Sequence, residues 1–392
     1  MAYISSNANR FYTALETAYG TVGAITSSNR IPAVKLSVRH ELEVTGRKDK
    51  TGSRTFPGLP AGGRRRTNFQ LQTYLTSWQK SGGGPGYGPL FQAALGARPL
   101  SFAGGTVASI TAQGQLGFAS PHGLALGQAV ASDEEIRFVS AIVDQNTVTL
   151  NVPFTATPAL GATIGATMTY TPATDLPSVT IFDYWDPSTA VQRALPGGAV
   201  DQMDILVNGD YHEFRFSGLS QDVIDSSSFQ AGSGGASQLQ SFPAEPALSS
   251  FDYSIVPGNM GQAWLGTAAS QFFTVTNAAI TLKNNLDMRT NEFGSNLPRA
   301  ISPGTRSVTA SLSLYSQDDT ATAALYQAAR QQSPVTVMLQ LGETSGQMMG
   351  LYLKSVIPET PDFDDSKNLL QWKFRPSRAQ GTIDDEIAVA FG

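Results

Sequence analysis

Hydrophobic and polar positions alternate from about residue 32 to 44, with Val34, Leu36, Val38, His40, Leu42 and Val44 on one parity. A period of two marks a strand with one face buried. The pattern returns as Ala278, Ile280, Leu282, Asn284 and Leu286. After each comes a long stretch rich in Gly, Pro and Arg, residues 45–63 and 288–304. Loops of that length in compact domains usually have a task. Each feeds a second alternating strand: 67–76, with Phe69, Leu71 and Thr73 on one face, and 307–315, with Val308, Ala310, Leu312 and Leu314. Each pair reads as a hairpin with a large tip. A helix is predicted next, over 318–331, where Ala321, Ala324, Leu325 and Ala328 share a face and Asp318 caps the start. Its shorter counterpart lies near 88–97.

The second copy continues with strands at 335–341, 348–357, 368–374 and 383–390. In the first, residues 102–175 interrupt this order before 179–184, 203–207 and 211–216 restore it. The interruption is itself strand-rich, at 107–111, 136–143, 147–150 and 168–170, and reads as a small β domain displayed on an outer surface. Residues 230–237, a Gly/Ser run, read as a linker between the copies.

The echo extends to identities. Leu90, Gln92, Ala93, Ala94 and Pro99 return as Leu325, Gln327, Ala328, Ala329 and Pro334, with Phe91 matched by Tyr326. Arg47, Gly52, Gly63, Arg65, Leu71 and Tyr74 match Arg289, Gly294, Gly304, Arg306, Leu312 and Tyr315, and Phe214 and Phe216 match Trp372 and Phe374. Self-similarity on this scale means two copies of one folded unit, and such copies commonly pack around a shared axis. The predicted class is mainly β: two tandem β-sandwich or barrel modules, each with a flanking α-helix, plus the inserted small β domain. The predicted boundaries are a discontinuous first module at 1–102 and 173–229, the insertion at 103–172, a linker at 230–241 and a second module at 242–392.

Hydrophobic residues make up 41% of the chain and charged residues 15%. The charge density is low for a soluble domain, which implies surface covered by neighbours. Cysteine is absent, so disulfides and thiolate metal sites are excluded. The net charge of −5 argues against a protein that grips nucleic acid by its phosphates. The first ten residues lack a basic stretch followed by an apolar one, and no apolar run approaches bilayer length, so neither a signal peptide nor membrane insertion is expected.

No enzyme signature emerges. His40, His122 and His212 have no partners at metal-ligand spacing. Asp362, Asp364 and Asp365 lack the Gly and terminal Glu of a calcium loop and read as a solvated acidic turn. Residues 81–88 are Gly-rich but lack the Gly-Lys-Ser/Thr ending of a phosphate loop and read as a hinge. The expectation is no catalytic residue, metal or cofactor. The strongest charge cluster is Arg64, Arg65 and Arg66 with Arg47, Lys48, Lys50 and Arg54. Arg289, Arg299 and Arg306 stand in the matching stretch of the second copy, and acids gather at Asp362, Asp364, Asp365, Asp384, Asp385 and Glu386. Complementary faces of this kind suit stacked subunits better than DNA. On that reading, reversing the charge of Arg65 and Arg66 blocks polymerisation and spares folding.

The order strand, long loop, strand, helix and sheet-completing strands, ending in Gly381-Thr382-Ile383-Asp384-Asp385-Glu386-Ile387-Ala388-Val389-Ala390-Phe391-Gly392, resembles the tail tube proteins of long-tailed bacteriophages. The resemblance covers both copies but not the insertion, and is best over 242–392. It implies a β-sandwich with a flanking helix, rings of six modules whose inner strands form a continuous barrel, and stacking through the long loops. With two modules per chain it implies trimeric rings of pseudo-sixfold symmetry. The implied role is a structural virion protein, assembled in the host cytoplasm, whose tube carries the genome into the host. Implied partners are other copies of the chain, the tape measure, terminator and distal tail proteins, and double-stranded DNA transiently in a weakly repelling lumen. Two alternatives stand beside it. One is a capsid decoration or distal tail protein. The other is a carbohydrate-binding adhesin or degraded glycosidase using Asp183, Tyr184, Trp185 and Asp186.

Overall fold

The computed structural model describes residues 3–43, 50, 52–54, 63–78, 84–111, 114–232, 238–247 and 254–392. In chain order, the first half contributes β1 (Asn9–Leu15), β2 (Arg30–Ile31), β3 (Ala33–Glu43), β4 (Arg64–Tyr74), α1 (Gly88–Leu95) and β5 (Leu100–Phe102). There follow β6 (Gly105–Ile110), β7 (Gln115–Phe118), β8 (Ala129–Ser132), β9 (Glu135–Ile142), β10 (Thr147–Leu150) and β11 (Thr163–Ile164). The half closes with β12 (Thr167–Tyr170), β13 (Val179–Trp185), β14 (Arg193–Val207), β15 (Glu213–Ser220) and β16 (Ile224–Asp225). The second half begins with β17 (Gly261–Gly266), β18 (Ser270–Gln271), β19 (Val275–Lys283), β20 (Asp287–Met288), β21 (Ile301–Ser302), β22 (Ser307–Tyr315) and α2 (Thr320–Gln331). It ends with β23 (Val335–Leu341), β24 (Met349–Val356), β25 (Asp362–Asp364), β26 (Gln371–Gln380) and β27 (Ala388–Phe391). The fold is mainly β, as predicted.

One antiparallel sheet runs through both halves in the order β3-β4-β15-β14-β19-β22-β26-β25. Alternation gives it one buried face, where Leu71, Phe216, Met203, Leu282 and Val308 form a continuous row across the strands. Behind that face lie two outer sets of strands, β2-β1-β13-β14-β16 and β18-β17-β23-β24-β27.

The two halves repeat one pairing scheme residue for residue. Tyr12, Phe182, Ala194 and Ile224 face one another in sequence across the first outer set. Trp264, Met338, Tyr352 and Ala388 do so across the second. The register slips at the same station in the leading inner strand, between Ala33 and Lys35 and between Val275 and Asn277. A one-residue slip turns every later side chain to the other face, so a shared bulge reflects shared packing. The halves differ at β14, which runs unbroken from the outer to the inner sheet. Its counterpart is divided into β24 and β25 by residues 357–361, which include Pro358 and Pro361. Proline has no N–H for a ladder and is confined to edges and breaks.

Helix α1 is enclosed between the layers, whereas α2 flanks the second half with one face exposed. Phe91 of α1 is fully buried, with its ring 5.3 Å from Phe214, 5.2 Å from Phe216 and 5.3 Å from Phe391. Its counterpart Tyr326 on α2 is only half-buried. The α2 cap is Asp319 rather than the predicted Asp318: Thr322 N donates to its carboxylate at 2.7 Å, and Thr322 Oγ1 also reaches it, at 3.2 Å. The final strand is shorter than predicted because residues 382–385 form a turn held by Asp385, which accepts from Thr382 N at 2.6 Å.

The six strands β6 to β11 form their own sheet, ordered β11-β6-β7-β10-β9-β8, over a core that includes Leu116, Phe118, Val130, Val148 and Ile164. Its other side is packed on the second half, where Ile136 and Phe138 join Met338, Met348, Ala388 and Ala390. Arg137, fully buried, is 3.0 Å from Glu135, donates to Gln340 and Gln262 at 3.3 Å, and lies 5.0 Å from the Trp264 ring centroid. Burial pulls its guanidinium below the ordinary value, and Glu135 opposes that shift. The flanking strands continue this union, because β12 pairs with both β5 and β27. The predicted surface ornament is thus a cover over the second half. On the first half the equivalent face, Tyr12, Phe182 and Tyr184, is covered by Phe242 instead. There Glu245 accepts from Tyr12 Oη at 2.9 Å and from Arg10 Nη2 at 2.7 Å.

Candidate assembly surfaces

The continuous sheet ends in two open edges. Among the described residues, β3 pairs with β4 alone, and the alternate residues whose N–H and C=O point outward along this eleven-residue strand are without a ladder partner. Exposed Val34 and Leu42 and half-buried Leu36 and Val38 punctuate it. At the far end, among the described residues, β25 pairs only with the start of β26. Phe363 of β25 is 56% exposed and stacks on Trp372 at 5.6 Å, with Tyr326 6.0 Å away. Long open edges invite pairing, and proteins otherwise shield them with charge, bulges or cover. Here an aromatic cluster stands at one edge and aliphatic side chains at the other.

The exposed face of the sheet is mostly polar, interrupted by Leu206, Ala279 and Tyr74. It carries Lys35, Arg39, Glu41, Gln70, Gln72, Gln202, Asp204, Glu213, Arg215, Thr281, Lys283, Lys373 and Arg375. Four of its cations are matched by neighbours, Arg215 by Glu213, Arg39 by Glu41 at 2.8 Å, Lys373 by Asp364 at 2.5 Å and Arg375 by Asp362 at 3.0 Å, whereas Lys35 and Lys283 have no ion pair among the described residues. The Lys373 ammonium, with Ser366, holds the Asp364 carboxyl well below its usual range.

The two ends of the sheet differ. At one lie the hairpin tips, where Phe293 is fully exposed beside Arg289, Glu292 and Arg299. At the other, a cavity of about 330 Å³ is lined by Val207, His212, Met260, Phe272, Phe273 and Val275.

The predicted contact residues divide accordingly. Arg47 and Lys48 lie outside the described residues, as do 81–83 of the Gly-rich hinge and 233–237 of the linker. Arg54 and Arg66 are exposed, and Arg64 donates to Asn291 at 2.7 Å, joining the bases of the two hairpin tips. Arg65 is exposed and lies 3.5 Å from the buried Asp222. Arg306 reaches Asp384 and Glu386, both at 2.5 Å, and Ala173 O at 2.8 Å. Asp385 is held by Lys354 at 2.7 Å; burial raises its carboxyl, but Lys354 and Thr382 outweigh that and leave it lowered. Asp362 and Asp364 sit on the open edge, with Asp365 exposed beside them. Most of the acidic group is therefore paired within its own half. Sequence reasoning read Val38 only as part of an alternating strand and did not single out Arg39 or Phe363, which stand with it on the open edges; their signal is the alternation of residues 33–43 and the match of Trp372 to Phe214.

The remaining candidates are engaged in the fold. The histidines contact Thr67, Asp144 O and Met260 O, each at 3.0 Å. Asp183 is buried against Arg193 at 2.5 Å, Asp186 binds Arg10 at 2.6 Å, and Tyr184 donates to Pro243 O at 3.1 Å. Among the described residues no cluster of three metal-ligating side chains occurs, and no helix is long and apolar enough to cross a membrane.

No protein-family model matches the sequence, and no curated protein is significantly similar to it. Among solved structures, the chain is similar to the SPP1 tail tube determined by solid-state NMR and cryo EM, at 14% identity and a TM-score of 0.25. The match covers 33% of this chain and 81% of that one.

Proposed function

We propose that this chain is a bacteriophage tail tube subunit, a structural virion protein. Three copies close into a ring of pseudo-sixfold symmetry, and the rings stack into a conduit for genome delivery. The observation that carries this reading is the pair of open edges on one continuous sheet. The internal seam joins β14 to β19, and β25 and β3 stand at the corresponding places on the outside. A heterologous contact that repeats such a seam generates a closed ring when its rotation completes a circle. Closing the sheet into a barrel then satisfies every edge.

In this arrangement the polar face lines the lumen. Arg39, Arg215, Lys373 and Arg375 are each paired with a carboxylate on the same face, so fewer cations, Lys35 and Lys283 among them, remain to bind phosphate. Each neutralised phosphate adds affinity, and affinity retards a passing strand. The lumen is then balanced in charge rather than acidic as the composition had suggested. Duplication of an ancestral module accounts for the repeated pairing scheme, with the insertion and residues 242–247 as different covers for equivalent outer faces. The tape measure, terminator and distal tail proteins are the further partners of this reading.

Electron microscopy of the purified protein tests it. Tubes of stacked rings, with three chains per ring by native mass spectrometry, are the expected outcome. Isolated rings without tubes would favour a capsid decoration or distal tail role, six chains per ring would overturn the stoichiometry, and monomers at all concentrations would overturn assembly altogether.

A further inference from the structure

The internal seam specifies how two copies meet. Across it Asp204 faces Thr281, Ile205 faces Ile280 and Leu206 faces Ala279, and Thr281 Oγ1 donates to Asp204 at 2.7 Å. The ladders supply the counterparts. Ile205 pairs with Phe214 as Phe363 pairs with Trp372, and Asp204 pairs with Arg215 as Asp362 pairs with Lys373. On the other strand, Leu36 pairs with Leu71 as Ala278 pairs with Leu312, which makes Val38 the counterpart of Ile280 and Arg39 that of Thr281.

We propose, building on the tube reading, that β25 of one copy adds antiparallel to β3 of the next in a single register: Asp362 opposite Arg39, Phe363 opposite Val38 and Asp364 opposite Ser37. The chemistry of these pairs agrees with the positions assigned by topology alone. Phe363 and Val38 both lie on the core side, where an apolar pair extends the buried row. Asp362 and Arg39 both lie on the polar face, where opposite charges directly across a ladder are favourable. A slip by one residue would place Phe363 against a polar-face residue and expose its ring. The seam also accounts for half-buried Tyr326, whose counterpart Phe91 is covered on its far side by Phe391 and Tyr170.

The absence of cysteine from the chain makes the test clean. Directly opposed residues have Cβ atoms about 4.5–5.5 Å apart, close enough for a disulfide with slight adjustment. A chain carrying Val38→Cys and Phe363→Cys, oxidised mildly after assembly, is expected to convert to covalent dimers and trimers on denaturing gels. Leu36→Cys with Phe363→Cys should give none. Because Val38 is half-buried, the exposed pair Arg39→Cys and Asp362→Cys provides a second probe of the same register. Rings that link through Leu36 but through neither proposed pair would overturn the register and leave the tube reading standing. Rings that link through none of the pairs would overturn edge addition. A ladder continuing past three chains would support the seam and overturn only the trimer, whereas unmodified protein that never associates would remove the reading on which the register rests.

Discussion

Arg306 is bonded to Glu386 at 2.5 Å, and the equivalent pair in the first half is Arg65 with Asp222 at 3.5 Å. The same arginine of the repeat ties the start of an inner strand to the segment at the closing outer strand in both halves. Only the second copy adds Asp384 and Ala173 O. Separate guanidinium nitrogens serve three acceptors, a geometry that an ammonium cannot reproduce. Arg306→Ala should cost about 3 kcal/mol, the range for stranding a largely buried charge, and Arg306→Lys should recover little of it. Arg65→Ala, at a longer and more exposed pair, should cost about 1 kcal/mol or less. Urea denaturation of the three variants checks the ranking.

Phe138 of the inserted sheet stacks on Tyr352 of the second half at 5.4 Å and is fully buried. If the insertion is a cover, truncating this ring opens a cavity between it and its support. Phe138→Ala should then lose about 3–5 kcal/mol, while Ile142→Ala, further along the same strand and exposed, should change stability by less than about 0.5 kcal/mol. Equal effects of the two, measured by denaturant titration, would contradict the covering role.

Much of this arrangement was legible in the residues. Period-two alternation located β3, β4, β19 and β22, because each has one face on the core and one in solvent. The repeated Leu-aromatic-Gln-Ala-Ala segment marked α1 and α2 as equivalents. What the sequence concealed was long-range. Nothing local in Ile136-Arg137-Phe138 distinguishes a strand in a free domain from one clamped on Trp264 and Gln340, both far along the chain. Charge pairing failed for a related reason. Asp384 and Glu386 looked available for another subunit, yet the turn before β27 brings them to Arg306, and no periodicity reports that turn.

His212 is buried, with Nε2 3.0 Å from Met260 O and Nδ1 without a partner. Burial lowers its pKa from the ordinary 6.5, so the unfolded chain takes up the proton first on acidification. Because the unfolded state binds more protons in that window, its share of stability is complete above pH 6.5 and is lost as pH falls towards the folded value. Melting temperatures should be flat from about pH 7 to 8 and decline below about 6.5, ahead of the carboxylates. His212→Gln should flatten the decline between about pH 6.5 and 5. A slope that survives the substitution would assign it to another group.

Arg66 and Phe293 lie at the hairpin end of the sheet and are exposed, whereas Arg65, also exposed, reaches the buried carboxylate of Asp222. Reversing both arginines together would therefore mix a folding defect with an assembly defect. The separated experiment predicts different outcomes for the two. Arg65→Glu sets a second carboxylate beside Asp222, whose pKa burial already raises, and should lower the melting temperature. Arg66→Glu sets a carboxylate opposite Glu41 on an exposed ladder and should cost no more than about 1 kcal/mol, yet shorten or abolish tubes in electron micrographs. Phe293→Ser should act like Arg66→Glu, giving rings that fail to stack, because an exposed aromatic at a contact commonly carries a large share of its energy. Full-length tubes from both variants would move the stacking contact away from this end of the subunit.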